Sequence, residues 1–410
     1  MGPLRPIRGM CYEALPCTSE GVDAGGECSK GQALPSPDLL QQGYADQWGP
    51  DGRDDLGTIS LLGSNVVRVY DAFGVESRHD HGAFLDRAQT VGLHVLAGFH
   101  TAGLCPDFNC FETWRKAATA SFGLGFKVQN AWHPVVAMVV LLNEPDMLDF
   151  VGIDGNTPNC TQGPARCRVK ASISALDGFL SAEKAAGITP GSVNLTIAWS
   201  SSMHSSVDGK VIDAIGYYGF QDMVAGIANP YEMCNYRPVT ELAELQEAFR
   251  TRWVNSVNVA SDWEYVQEEI AVIYDSLFPM SPWFLSEFHG QNDNQYHNTI
   301  VRELESIDGY AQSGAFMGVC FSQFQRPNQI KGDPKGLFGL GLKSIGDDGR
   351  TGKVCVEDAR EGTPTCRSWD LKCLDPSVVP YQRSDAVATA WGGRVTGPGL
   401  CYNMDNALTV

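Results

Sequence analysis

Short apolar runs of strand length recur along the chain, alternating with stretches whose apolar residues return every three or four positions. Eight such runs are legible: Ile7 to Tyr12, Asn65 to Tyr70, His94 to His100, Val135 to Leu142, Val193 to Trp199, Ala214 to Phe220, Trp283 to Phe288 and Phe316 to Phe324. Helical patterns lie between them at 54–62, 82–91, 113–120, 169–186, 263–277 and 297–313. Strand followed by helix predicts parallel strands joined by crossovers, and eight such units predict an α/β fold, a closed (β/α)8 barrel. An open doubly wound sheet is the alternative, but it needs a Gly-rich phosphate turn after its first strand, and none follows Tyr12.

Two stretches interrupt the alternation. Residues 13–53 and 325–383 are rich in Gly, Pro, Asp and Cys, with too few periodic apolar positions for a core of their own. They read as loop extensions pinned by disulfides on a single catalytic barrel domain spanning 1–410. The thirteen cysteines fall partly into close pairs, Cys11 with Cys17, Cys105 with Cys110, Cys160 with Cys167, and a group of Cys355, Cys366 and Cys373. Such spacing suits short disulfide loops and an oxidising compartment. The sequons at Asn159 and Asn194 agree with a secreted or cell-wall protein, whose signal peptide would precede this numbering. The odd count leaves a thiol over, and Cys320, inside an apolar run, is the expected buried one.

Charge narrows the partners. Thirty Lys and Arg against 48 Asp and Glu give a net charge of -18, which repels nucleic-acid backbones and anionic membrane faces. No window of about 18 uninterrupted apolar residues supplies a membrane span. No C-x-x-C pair is present, and His79-Asp80-His81 lacks a third ligand, so no metal and no cofactor are expected. That triplet reads as a solvated helix start with Asp80 as its cap.

The chemistry concentrates at two strand ends. Val135 to Leu142 is apolar throughout and then presents Asn143-Glu144-Pro145, where the proline ends ladder pairing and biases Glu144 toward an extended backbone. Glu287 interrupts the aromatic run Trp283 to Phe288 in the same manner. In a barrel, the C-terminal strand ends carry the active site. Either acid alone reads as a cap or a salt-bridge partner. Two at the ends of the fourth and seventh strands point to paired-carboxylate chemistry, with glycoside hydrolysis as the reaction that uses such a pair.

The Asn-Glu and Ser-Glu strand ends resemble those of the clan of retaining glycoside hydrolases with (β/α)8 barrels. Within it, Asn65-Val66-Val67-Arg68-Val69-Tyr70, Gly92-Leu93-His94-Val95-Leu96, Phe284-Leu285-Ser286-Glu287-Phe288 and Phe321-Ser322-Gln323-Phe324 resemble the β-1,3-glucanosyltransferases of family 72 and related β-1,3-glucanases. The resemblance implies that Glu144 is the acid/base, Glu287 the nucleophile and Asn143 a partner of the sugar 2-hydroxyl. It further implies a β-glucan polysaccharide or oligosaccharide substrate, cleaved or transferred through a glycosyl-enzyme. A β-1,4-glucanase or mannanase of the same clan is the alternative, and a glycan-binding barrel without catalysis is a third reading.

Supporting residues follow from strand alternation. Val66, Arg68 and Tyr70 share one face; with Val66 inside the barrel, Arg68 lies beneath the acids to hold Glu287 ionised and Tyr70 reaches the rim. His100 ends the third run, facing substrate or packed as a core histidine. Sugar faces need aromatic rings and amides, and Trp199, Tyr218, His289 and Gln323 are the candidates near strand ends.

Overall fold

A computed structural model of the chain describes residues 4–13, 15–16, 34, 36, 38–73, 79–99, 105–148, 150, 164–191, 193–200, 205–207, 210–212, 220–289, 296–326, 336–345, 351–357, 364–379 and 382–402. Eight parallel strands close into a barrel: β1 (Ile7–Tyr12), β2 (Val66–Val69), β3 (His94–Gly98), β4 (Val136–Asn143), β5 (Asn194–Ser200), β6 (Asn255–Val259), β7 (Trp283–Phe288) and β8 (Phe316–Phe321). Each strand pairs with its neighbours in sequence order, and β1 pairs with β8 to close the ring. Crossover helices cover the outside: α1 (Asp55–Leu61), α2 (Gly82–Thr90), α3 (Phe111–Ser121), α4 (Pro164–Ala185), α5 (Leu242–Arg252), α6 (263–277), α7 (His297–Ala311) and α8 (Arg383–Trp391). The fold is the (β/α)8 barrel that the alternation predicts.

The sixth strand corrects the sequence reading. Residues 214–219 lie outside the described residues, while Phe220 has helical backbone angles at the start of the helix Gln221–Ala228. The barrel position is filled by β6, whose sequence Asn-Ser-Val-Asn-Val is half polar. Ser256 and Asn258 point inward and Asn255 outward to Tyr274, so β6 lacks the continuous apolar run by which a strand buried on both faces is recognised.

The barrel interior holds a small apolar cluster of Ile7, Cys11, Val66, Leu96, Met138, Val254, Phe284, Met317 and Cys320. It is the floor on which the polar residues of the C-terminal end rest. Space there is tight: a Cβ at Gly9 would meet Cys320 Sγ at 2.4 Å. The larger core fills the layer between strands and helices.

Disulfides join Cys105 to Cys110, Cys355 to Cys366 and Cys373 to Cys401. Cys167 is also disulfide-bonded, and Cys17, Cys28 and Cys160 lie outside the described residues. Cys11 is a buried free thiol, against the expectation that it pairs with Cys17. Its side chain points into the barrel from β1, where burial pushes the thiol up to about 12. Cys320 is buried and free, as its apolar run suggests.

The extensions are held by more than disulfides. Arg53 and Asp55, both buried, form an ion pair at 2.7 Å. Arg53 also donates to Gln325 Oε1 and to the Lys372 carbonyl, while Tyr12 donates to Asp55. This network ties the segment before α1 to β1 and to the chain after β8. Residues 325–383 contain β9 (Gly339–Ser344), β10 (Thr351–Glu357), β11 (Pro364–Asp370) and β12 (Lys372–Asp375), paired antiparallel as β9 with β12 and β10 with β11. At the start of α2, Asp80 accepts the Gly82 amide as a cap, but His81 is fully buried with Nε2 2.7 Å from Asp38 Oδ2, not solvated.

Candidate active site

Strand alternation by itself aims Glu287 the wrong way. Phe284 faces the barrel interior and Leu285 the outer core, so regular pleating would turn Ser286 inward and Glu287 outward. A β-bulge changes this. Val257 of β6 pairs with Leu285, but the next residue, Asn258, pairs with Glu287, and the pairing with β8 also runs one residue long on β7. The extra residue brings both Ser286 and Glu287 toward the barrel axis. A second bulge lies in β4, where Val140 pairs with Thr196 and Asn143 with Ala198. Leu141 and Leu142 therefore both join the outer core, and Asn143 turns inward.

Glu144 follows β4 with φ at 47°, in the left-handed region, rather than in the extended conformation expected before proline. The reason is local pairing. Its amide donates to the Ala198 carbonyl at 2.6 Å, and its carbonyl accepts from Met147 and Leu148, so the chain turns sharply at this residue. A non-glycine residue held there stores about 1 kcal/mol or more, as residues at functional sites often do.

Arg68 is the hub beneath the two acids. Val66 does face the interior, and Arg68, 1% exposed, reaches across the barrel from β2. Its Nη1 donates to Glu287 Oε1 at 2.9 Å and to the Ser286 carbonyl, and its Nη2 donates to Asn143 Oδ1 at 2.6 Å. Tyr70 lies one step up the same face, half-buried, its ring centre 4.5 Å from the Arg68 guanidinium carbon.

The residue that the sequence reading missed is Asn258 of β6. Its Nδ2 lies 2.9 Å from Glu287 Oε1, 3.0 Å from Glu144 Oε1 and 3.1 Å from Asn143 Oδ1. Because both carboxylate oxygens reach one nitrogen at 3.0 Å and 2.9 Å, they are at most about 6 Å apart. Two further carboxyls stand near this end of the barrel. Burial pushes Asp146 up to about 6, partly opposed by the Ser200 amide that it accepts, and pushes Asp71 up to about 7, with the Glu13 and Asp38 carboxylates adding.

The structure thus brings together Arg68, Asn143, Glu144 and Glu287 from three parts of the sequence, with Tyr70 beside them. His289 follows β7, half-buried, its amide donating to the Val259 carbonyl. Gln323 lies just past β8 and is 7% exposed. His100 and Tyr218 lie outside the described residues. Trp199 is a correction: it is 2% exposed and belongs to the outer core with Leu195 and Ile197. The inward face of β5 carries Thr196, whose hydroxyl meets Ser256 at 2.9 Å, so Trp199 packs against helices instead of facing the cleft. Thr196 is also the last residue of the Asn194 sequon, which is therefore part of the barrel wall. Among the described residues no three His, Cys, Asp or Glu side chains converge as a metal site requires.

No protein-family model matches the chain, and no curated protein matches it by sequence. Among solved structures it is similar to a rice β-glucosidase mutant in a covalent complex with Glc, at 10% identity over 82% of this chain and 93% of that one, with a TM-score of 0.50. It is similar also to the Thermotoga maritima β-glucosidase in complex with galacto-hydroximolactam, at 10% identity, covering 83% and 93%, again with a TM-score of 0.50. At this identity the likeness shows the barrel fold.

Proposed function

We propose that the protein is a retaining glycoside hydrolase or transglycosylase that cleaves β-glucan, with β-1,3-linked glucan as its substrate. One observation carries the reading: Glu144 and Glu287, at the ends of β4 and β7, both reach a single amide nitrogen. A separation of about 5–5.5 Å suits a retaining pair, whereas inversion needs roughly 6.5–9.5 Å to admit water between the acids. The ceiling of about 6 Å on the two nearest oxygens supports retention.

The chemistry follows from the contacts. Glu287, held by Arg68 and Asn258, attacks the anomeric carbon as the glycosidic bond breaks. Glu144 delivers its proton to the departing oxygen, then, as a carboxylate, takes a proton from water or from a sugar hydroxyl that displaces Glu287. Arg68 fixes Asn143 Oδ1, leaving the Asn143 amide hydrogens to meet the sugar 2-hydroxyl. The solved β-glucosidases that share the fold support a β-glucoside substrate, and the motif resemblance supports the 1,3 linkage. A net charge of -18 suits a neutral polysaccharide, and the disulfides support a secreted setting.

The Glu144→Ala variant tests the reading. Turnover of laminarin-type oligosaccharides is expected to fall by about 10²–10⁴-fold. With a dinitrophenyl β-glucoside, whose leaving group needs no proton, added azide is expected to restore turnover and give the β-glucosyl azide. Wild-type activity in the variant, or an α-azide product, overturns the proposal.

A further inference from the structure

Asn258 is 5% exposed and its amide is fixed at both ends. On one side it faces Ser286 Oγ at 2.7 Å and Arg68 Nη1 at 3.4 Å. Arg68 can only donate, so the atom facing it is Oδ1, and Nδ2 must face the acids. An amide nitrogen carries two hydrogens, yet three acceptors surround this one. Asn143 Oδ1 already accepts from Arg68 Nη2 at 2.6 Å, and at 3.1 Å it is the most distant of the three from Asn258 Nδ2 and the one that is an amide and not a carboxyl oxygen. The two Asn258 hydrogens are therefore left for Glu144 and Glu287.

That division selects one oxygen on each acid. Glu287 Oε1 accepts from both Arg68 and Asn258, which leaves Oε2 as the oxygen with its electron pairs available to a sugar carbon. Glu144 Oε1 accepts from Asn258, which leaves Oε2 to carry the transferable proton.

We propose, on the retaining reading above, that Asn258 is a positioning residue that fixes the reacting oxygen of each carboxylate and serves both half-reactions. In the first, Glu287 Oε2 bonds to the anomeric carbon, the carbon–oxygen bond to the leaving group breaks, and the Glu144 proton goes to that oxygen. Glu287 is then an ester, neutral and a weaker acceptor at Oε1, while Glu144 has become a carboxylate. The Asn258 hydrogen bond to Glu144 becomes charge-assisted at the moment when Glu144 must act as a base. In the second half-reaction an acceptor hydroxyl gives its proton to Glu144 as its oxygen replaces Glu287 on carbon, and the starting state returns.

The test uses a 2-deoxy-2-fluoro-β-glucosyl fluoride, with mass spectrometry to follow labelling of Glu287 and its release. Wild-type protein is expected to be labelled at Glu287. Asn258→Asp keeps the shape and the acceptor for Ser286 and Arg68 but replaces the donor by a third carboxylate. At neutral pH it is expected to unfold below the wild-type temperature and to label and reactivate about 10²-fold more slowly, and at acid pH, where the new carboxyl is protonated and can donate again, to recover part of both rates. Asn258→Ala is expected to slow both steps similarly with KM for oligosaccharides little changed, since the Asn258 amide is taken up by Glu144, Glu287, Ser286 and Arg68. Labelling and reactivation at wild-type rates in either variant, with wild-type protein labelled at Glu287, overturns the role of Asn258 alone. Failure of wild-type protein to label at all overturns the retaining reading, and this inference with it.

Discussion

Replacing Glu287 by Gln is expected to lower turnover of β-glucan oligosaccharides by about 10⁴-fold or more while leaving the thermal transition within a few degrees of wild type. Gln keeps the length of the side chain and one carbonyl oxygen, so Arg68 and Asn258 retain an acceptor where Glu287 Oε1 now lies. What disappears is the charge and the second oxygen, and with them the electron pair that bonds to the anomeric carbon. The side chain keeps 22% exposure, so the loss of charge beside Arg68 is partly absorbed by solvent. Activity within tenfold of wild type in a well-folded variant refutes the assignment of Glu287 as nucleophile.

Arg68→Met is expected to damage both the reaction and the fold. Arg68 is the one cation among the described residues that bonds Asn143, Asn258, Ser286 and Glu287, and it links β2 to β4 and β7 across the barrel. Methionine fills much of the same volume but strands the Glu287 charge. Removing one partner of a buried pair costs about 3–5 kcal/mol, and the partial exposure of Glu287 places this case near the lower end. Turnover is expected to fall about 10²–10³-fold, because Glu287 and Asn143 lose a common anchor. The double variant Arg68→Met with Glu287→Gln discriminates the cause. If the stranded charge dominates, the double variant melts higher than Arg68→Met alone; equal or lower melting assigns the loss to packing.

Much of this arrangement was legible in the sequence, for reasons that particular residues make plain. Strands such as Val136–Asn143 and Phe316–Phe321 are buried on both faces and so appear as continuous apolar runs. Arg68 was legible because Val66 fixes the parity of β2, and parity alone carries a side chain to the barrel axis. β6 was hidden by its own function, since Ser256 and Asn258 point inward, while Asn255 faces the helices and bonds Trp253 and Tyr274, so all three interrupt the apolar run. Asn258 had one available signal, a β-type segment with spaced Asn residues between a helical pattern ending near Arg252 and the next at Trp263.

The bulges in β4 and β7 left no such signal. They depend on pairing with neighbours remote in sequence, and they decide that Glu287 points inward. Trp199 failed for the opposite reason. An aromatic at a strand end satisfies the composition rule for sugar contact, but its parity on β5 turns it to the helices. Glu144 was rightly placed at a strand end but not in an extended backbone, because the Ala198 carbonyl and the turn through Leu148 outweigh the preference set by Pro145.

The central claim is that two carboxylates bridged by Asn258 perform double displacement. Proton NMR of the sugar released in the first minutes of β-glucan hydrolysis tests it most directly, read before mutarotation equilibrates the anomers. The β-anomer appearing first is the result that this geometry predicts. The α-anomer appearing first means inversion, and contradicts it.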